Sequence, residues 1–256
     1  MLFINADDLG LNVESIVNTA QCYEARSVTS ASLMVFMNNS LRASTWAMSS
    51  GIETGLHLNL TEPFDKPKLP QRLSDYHHEV IKYYRKGAYS GHLYNPLLKN
   101  KVDYVFKAQY DEHCRLFNAE PLKIDGHHHM HLSMNILLNN LIPKGMIVRR
   151  NFSFKRTEKN MFNRAYRNFI DAWLRTRYRC TDTFFSIKPL ENLQRLRKIV
   201  QLSQYSDVEI AVHPADGSEY LFLLGSRFNE IIKDIPPGAF SRIWKRAHRS
   251  NGEVLP

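Results

Sequence analysis

Short apolar or β-branched runs alternate with helical patterns from end to end of this 256-residue chain, and that alternation decides its fold class before any motif is weighed. Leu2-Phe3-Ile4 reads as a buried strand ending at Asn5, and residues 12–26 read as a helix with Val13, Ile16, Val17 and Ala20 on one face. A second strand is predicted over 28–36, a helix over 40–49, and a third strand running into Gly55-Leu56-His57-Leu58. A long loop with one helix fills 61–94, and a helix follows over 99–117. The strand Leu122-Lys123-Ile124 then leads into a histidine cluster. A strand near 146–149, a helix near 191–203 and the strand Val208–Val212 come after it. Strands alternating with helices predict a parallel α/β architecture.

Composition narrows the class further. With 43% apolar and 23% charged residues the chain is neither disordered nor fibrous; its length allows one to two domains, and a single domain over 1–256 is the expectation. Cys22, Cys114 and Cys180 are odd in number and far apart, which excludes a disulfide scaffold and a cysteine zinc knuckle. No apolar run approaches the roughly 18 residues of a membrane span, and the N-terminus lacks the basic start of a secretory leader. A cytoplasmic setting is the expectation. The net charge of +9 is local: residues 141–200 carry 15 Lys and Arg against 4 Asp and Glu, and the remainder is nearly neutral. A basic segment over about 144–198 is therefore set apart from an ordinary domain, and residues 244–256 read as a loose tail.

In parallel α/β folds ligands sit beyond the carboxyl ends of strands, so polar residues that end apolar runs are the first candidates. Here they are Asp7 and Asp8, His57, the run Asp125-Gly126-His127-His128-His129-Met130-His131, and His213. Imidazole is the commonest side-chain metal ligand near neutral pH, and alternate histidines of an extended segment would share one side. Four histidines in five residues beside an aspartate favour a metal or catalytic use over a solvated loop. Asp7 and Asp8 also suit a turn or a helix cap, His57 a core histidine, and His213 a plain strand end. Two adjacent carboxylates divide two tasks, one holding a cation and the other taking a proton from water. A carboxylate with two histidines is the usual donor set of a hydrolytic metal site, so the residues alone reach a metal-dependent hydrolase.

The stretches Asn5-Ala6-Asp7-Asp8-Leu9-Gly10-Leu11, Ser27-Val28-Thr29-Ser30, Gly55-Leu56-His57-Leu58, Ile124-Asp125-Gly126-His127-His128-His129-Met130-His131 and Val212-His213-Pro214 carry a resemblance. In order and spacing they resemble the YdjC-like family, which includes chito-oligosaccharide deacetylases, over roughly residues 2–235. The resemblance implies a distorted (β/α) barrel related to carbohydrate deacetylases, and one divalent cation, Mg or Zn. It implies Asp8, His57 and His127 as metal ligands, Asp7 as base and His213 as acid. It further implies removal of an N-acetyl group from an amino sugar or oligosaccharide, with release of acetate. His129, His131, Asp125 and Arg149 are expected to bind substrate or to orient the ligands. Leu9, Ser27 and Ala215 depart from the family pattern, which usually has Phe, Gly and Gly there; these positions bear on the substrate pocket rather than on the ligands.

Two other classes compete. A metal-dependent hydrolase of another amide or of a phosphoester needs the same donors, and a non-catalytic carbohydrate-binding protein would keep the fold alone. A nucleic-acid partner is not expected, since no helix-turn-helix, zinc-finger or RNA-recognition signature accompanies the basic segment. Within that segment Phe162, Tyr166, Phe169, Ile170 and Trp173 fall at helical spacing, as on an amphipathic helix with a solvated outer face. Contact of 161–179 with an anionic partner or membrane surface, and a homodimer, are the sharper alternatives there.

Overall fold

A computed structural model of the chain describes residues 1–87, 89–153, 161–243 and 245. The expected tail over 244–256 lies outside the described residues apart from Lys245, as does 154–160 of the basic segment. In chain order the elements are β1 (Leu2–Leu9), α1 (Val13–Glu24), β2 (Ser30–Leu33), α2 (Ser40–Ser50), β3 (Glu53–Leu58), α3 (Gln71–Tyr84), α4 (Lys99–Phe117) and β4 (Lys123–Gly126). There follow α5 (Met134–Leu138), β5 (Ile147–Val148), α6 (Met161–Arg177), β6 (Thr183–Ser186), α7 (Leu193–Leu202), β7 (Val208–Val212), α8 (Gly217–Leu224) and α9 (Ser226–Ile232). The seven strands form one sheet in the order β5-β4-β3-β2-β1-β7-β6. β1 runs parallel to β7, β7 to β6, and β3 to β4. The parallel α/β class expected from the alternation is the class observed. Among the described residues no helix is long and apolar enough to cross a membrane.

The chain groups into two compact units, one of Asp7–Val17 and Ala31–Pro143, the other of Met1–Ala6, Asn18–Ser30 and the residues from Lys144 onward. In the first unit Gly10, at φ +88°, turns the chain out of β1, and Asn12 caps α1 by accepting from the Ser15 N–H at 2.7 Å. α2 ends on Gly51 in the left-handed conformation, whose N–H returns to the Ala47 carbonyl. α4 buries Val102, Val105, Phe106, Gln109, His113 and Leu116, a 3.6-residue stripe with two polar members. One of these, Gln109, reaches the end of β3: it accepts from the Asn59 N–H and donates to the Asn59 carbonyl, both at 2.8 Å, as a neighbouring strand would.

In the second unit Leu2–Ala6 pair residue for residue with Val208–Val212, and all of these are buried. Continuous apolar runs of this kind mark strands covered on both faces. The buried Asn5 side chain accepts from Ser30 Oγ at 2.8 Å. Ser27 donates to the Leu223 carbonyl at 2.7 Å, tying the approach to β2 onto α8. On α6 the buried stripe is Ile170 and Leu174, whereas Phe169 is 68% exposed; one residue is about 100° of helix, which moves Phe169 off the inner face. The basic segment contributes to this unit's interior, where Arg149 Nε bonds Glu209 at 2.7 Å and Arg150 pairs with Asp171 at 2.5 Å.

Candidate active site

The first unit gathers five of the expected side chains. β1 continues past Asn5, so Asp7 and Asp8 belong to the strand, and Asp8, one residue before its end, has a left-handed backbone at φ +60°. His57 likewise lies inside β3 rather than beyond it. The β3–β4 register sets His57 directly opposite Asp125, and His57 Nδ1 meets Asp125 Oδ1 at 2.8 Å. That leaves Nε2 facing Asp8 Oδ1 at 3.0 Å, while His127 Nδ1 reaches the same oxygen at 2.7 Å. Two imidazoles thus converge on one carboxylate oxygen, with a second carboxylate behind one of them. Asp7, His57 and Asp125 also bring donor atoms within 4.8 Å of one another.

Electrostatics at this point are extreme. Burial opposes an ionised Asp8, yet hydrogen bonds from His127 and His57 and the charge on both rings hold its carboxyl far below the usual range. Burial equally opposes a charged His57, but the charge and hydrogen bond of Asp125, with Asp8 and Asp7 behind them, raise it to about 10. The buried site is one that draws positive charge between its carboxylates. A carboxylate, two imidazoles and a second carboxylate that fixes the tautomer of one ring fit a divalent cation.

The histidine run departs from the extended segment expected of it. Residues His127–Leu132 form a tight 3-10 turn in which His128 (φ 52°, ψ 26°) and His129 (φ 59°, ψ 24°) are both left-handed. For residues with a Cβ that conformation costs roughly 1–2 kcal/mol each, and it stops alternate histidines from sharing a side. His127 turns to Asp8, and His128 Nδ1 meets Thr61 Oγ1 at 3.1 Å, its pKa lowered by burial and by His127. His131 is fully buried against Gly126, where a Cβ would stand 3.0 Å from the His131 nitrogen and 3.2 Å from its Nδ1. The groups of converging donors include neither His129 nor His131.

Beneath Asp125 lies a support that the sequence motifs do not include. Lys123 Nζ lies 2.6 Å and Ser32 Oγ 2.7 Å from Asp125 Oδ2, all three side chains being buried. The available signal was spacing, because residues two apart on a strand share a face, as Lys123 and Asp125 do.

The remaining two expected residues belong to the other unit and are described there alone. His213 follows β7; its N–H donates to Glu219 at 2.6 Å, and its Nδ1 is 3.5 Å from the same buried carboxylate. Glu219 in turn is placed by Asp216, which caps α8. Arg149 is buried, bonded to Glu209 with its guanidinium 4.8 Å over the Phe184 ring.

Over 137 residues the chain is 27% identical to a chitooligosaccharide deacetylase of Serratia marcescens. The match takes in 53% of this chain and 52% of that one, so the chain spans about half the length of the curated relative it matches. Its fold is shared with a crystal structure described as a cellobiose-phosphate cleavage protein of Enterococcus faecalis V583, at a TM-score of 0.63 and 19% identity. That similarity covers 94% of this chain and 98% of the other. Residues 1–239 match the YdjC-like protein family, and the chain belongs to that family.

Proposed function

We propose that the chain is a divalent-cation-dependent hydrolase that removes the N-acetyl group of an amino sugar or short oligosaccharide, releasing acetate. One observation carries the reading: Asp8 Oδ1 receives both His57 Nε2 and His127 Nδ1, while Asp125 fixes the other side of His57. Asp8, His57 and His127 would hold the cation, Mg or Zn. When bound, the cation supplies a Lewis acid for the acetyl carbonyl and acidifies water beside it.

The rest falls to the chain's own groups. Asp7, which is buried and shares the His57 neighbourhood, takes the proton of the attacking water. Oxygen adds to the acetyl carbon, the amide C–N bond then breaks as the carbonyl re-forms, and the amine leaves with a proton from His213, whose backbone is anchored by Glu219. Asp125, braced by Lys123 and Ser32, keeps His57 Nδ1 engaged so that Nε2 faces Asp8. His129 and His131 would bind substrate or orient their neighbours, and Arg149 would do so within its own unit, where it holds Glu209; none of the three takes part in bond making. The deacetylase named in the relative supports the acetyl group as the one removed.

The test is acetate release from a panel of N-acetylglucosamine oligosaccharides, before chelation, after it, and after return of zinc, magnesium or manganese. Release that chelation abolishes and a cation restores is expected. Phosphate released from sugar phosphates, with no acetate from the panel, would overturn the choice of bond.

A further inference from the structure

A second group of donors lies on the solvent side of the first. Glu62, His127 and His128 each offer one ligand atom, and these lie within 4.8 Å of one another. Glu62 and His127 are half-buried and His128 is exposed, in contrast to the buried Asp8 and His57.

The fold builds this arrangement from two loops. After β3, the buried Asn59 forms a turn: its Oδ1 accepts from the Thr61 and Glu62 N–H groups at 3.1 and 2.8 Å, and its Nδ2 donates to the Glu62 carbonyl at 2.8 Å. Gln109 grips the Asn59 backbone from α4, so the position of Glu62 is fixed from below. Thr61 Oγ1, beside it, lies 3.1 Å from His128 Nδ1; in the tautomer whose Nδ1–H donates to that hydroxyl, Nε2 is the ligand atom of the ring. From the other loop, the two left-handed histidines place the His127 and His128 rings 4.1 Å apart. The Asp8–His57–His127 group calls for His127 alone, so it does not account for the strain at His128. Glu62 also pairs with Arg85, but that pair is well exposed and is worth little to keep.

We propose that Glu62, His127 and His128 form an outer divalent-cation position, through which the inner one is loaded. The idea deepens the cation reading above and rests on it. A carboxylate with two imidazoles suits a borderline cation such as zinc, manganese or cobalt. A neutral imidazole has a single acceptor lone pair, so His127 serves one position at a time. The two are filled in turn, and capacity stays at one cation per chain. Passage inward needs only that Glu62 and His128 give way to Asp8 and His57.

The test uses the full chain and Co(II) alone at neutral pH, followed by its visible absorption and by equilibrium dialysis. In Asp8→Asn/His57→Ala the inner position is disabled. That variant is expected to retain one Co(II) per chain at 10²–10³-fold weaker affinity, and adding Glu62→Gln and His128→Ala should weaken it at least a further tenfold. Glu62→Gln/His128→Ala in the otherwise wild-type chain should keep the tight site while slowing Co(II) uptake. No Co(II) in the inner-site variant, or binding there that ignores Glu62 and His128, would overturn the proposal. Should the double inner variant fail to fold, Asp8→Asn alone makes the same comparison. Wild-type chain that binds no Co(II) overturns both positions, because it carries the outer residues intact, whereas tight wild-type binding with none in the inner-site variant overturns the outer one alone.

Discussion

Gly55 and Lys123 face each other across β3 and β4, and one makes room for the other. A Cβ on Gly55 would lie 2.5 Å from Lys123 Cγ and 2.7 Å from the Lys123 carbonyl oxygen. The lysine stem therefore crosses the bare backbone of its neighbour on the way to Asp125. Gly55→Ala is expected to destabilise the chain by about 1–3 kcal/mol through overpacking. Denaturant unfolding measures this; a variant as stable as wild type would show that the lysine has freedom the packing denies it.

Asp125 is the hub of the buried network, holding Lys123, Ser32 and His57 with two oxygens. Breaking a buried ion pair from one side costs about 3–5 kcal/mol. Asp125→Ala should lose that much, and Lys123→Met/Asp125→Ala should lose less than Asp125→Ala alone. Cation affinity is a separate readout, expected to fall about 10–100-fold when the partner of a ligating histidine is removed. Calorimetric titration of Asp125→Asn with zinc would expose an error here by showing wild-type affinity.

Much of this was legible in the chain. Leu2-Phe3-Ile4, Gly55–Leu58 and Val208–Val212 announce their strands through apolar runs, and the polar residues set in or after them are those that converge in the first unit or stand after β7. The histidine turn was not legible, because two successive left-handed residues other than glycine carry no local signature; tertiary contacts hold them there. Lys123 gives no such signal, because lysine is almost never fully buried unless paired, and its pair is two residues along the same strand. β6 is faint in sequence because Thr183–Ser186 is a four-residue strand, largely half-buried, within a strongly basic stretch. Glu219 gives no sign in sequence that its carboxylate folds back onto the His213 backbone.

Asp7 and Asp8 are neighbours with different tasks, and substitution should separate them. Asp7→Asn is expected to bind the cation as wild type does while acetate release falls about 10²–10⁴-fold, the usual worth of a general base. His213→Asn should show the same split. Full turnover in Asp7→Asn would remove it from the role of base.

His77 supplies a pH dependence apart from the site. Its ring stacks on Phe64 with centroids 3.5 Å apart, its Nε2 lies 3.1 Å from the Asn59 carbonyl, and burial holds its pKa down at about 3 against the ordinary 6.5. Between those values the unfolded chain carries a proton that the folded chain refuses, so stability falls as pH is lowered through 6.5 toward 3. One such group contributes a slope of about 1.4 kcal/mol per pH unit at most. His113, pushed by burial to about 4, acts in the same direction. His77→Gln should flatten the acid side of the stability curve by up to one proton, as read from unfolding midpoints at pH 4 to 7. An unchanged slope would mean that His77 titrates normally.

The central claim is that Asp8, His57 and His127 together hold a divalent cation, and anomalous diffraction at the zinc edge from crystals grown with zinc addresses it without reference to any substrate. The account predicts a peak about 2.0–2.2 Å from Asp8 Oδ1, His57 Nε2 and a His127 ring nitrogen. Zinc at full occupancy on other residues, with nothing among these three, would contradict it.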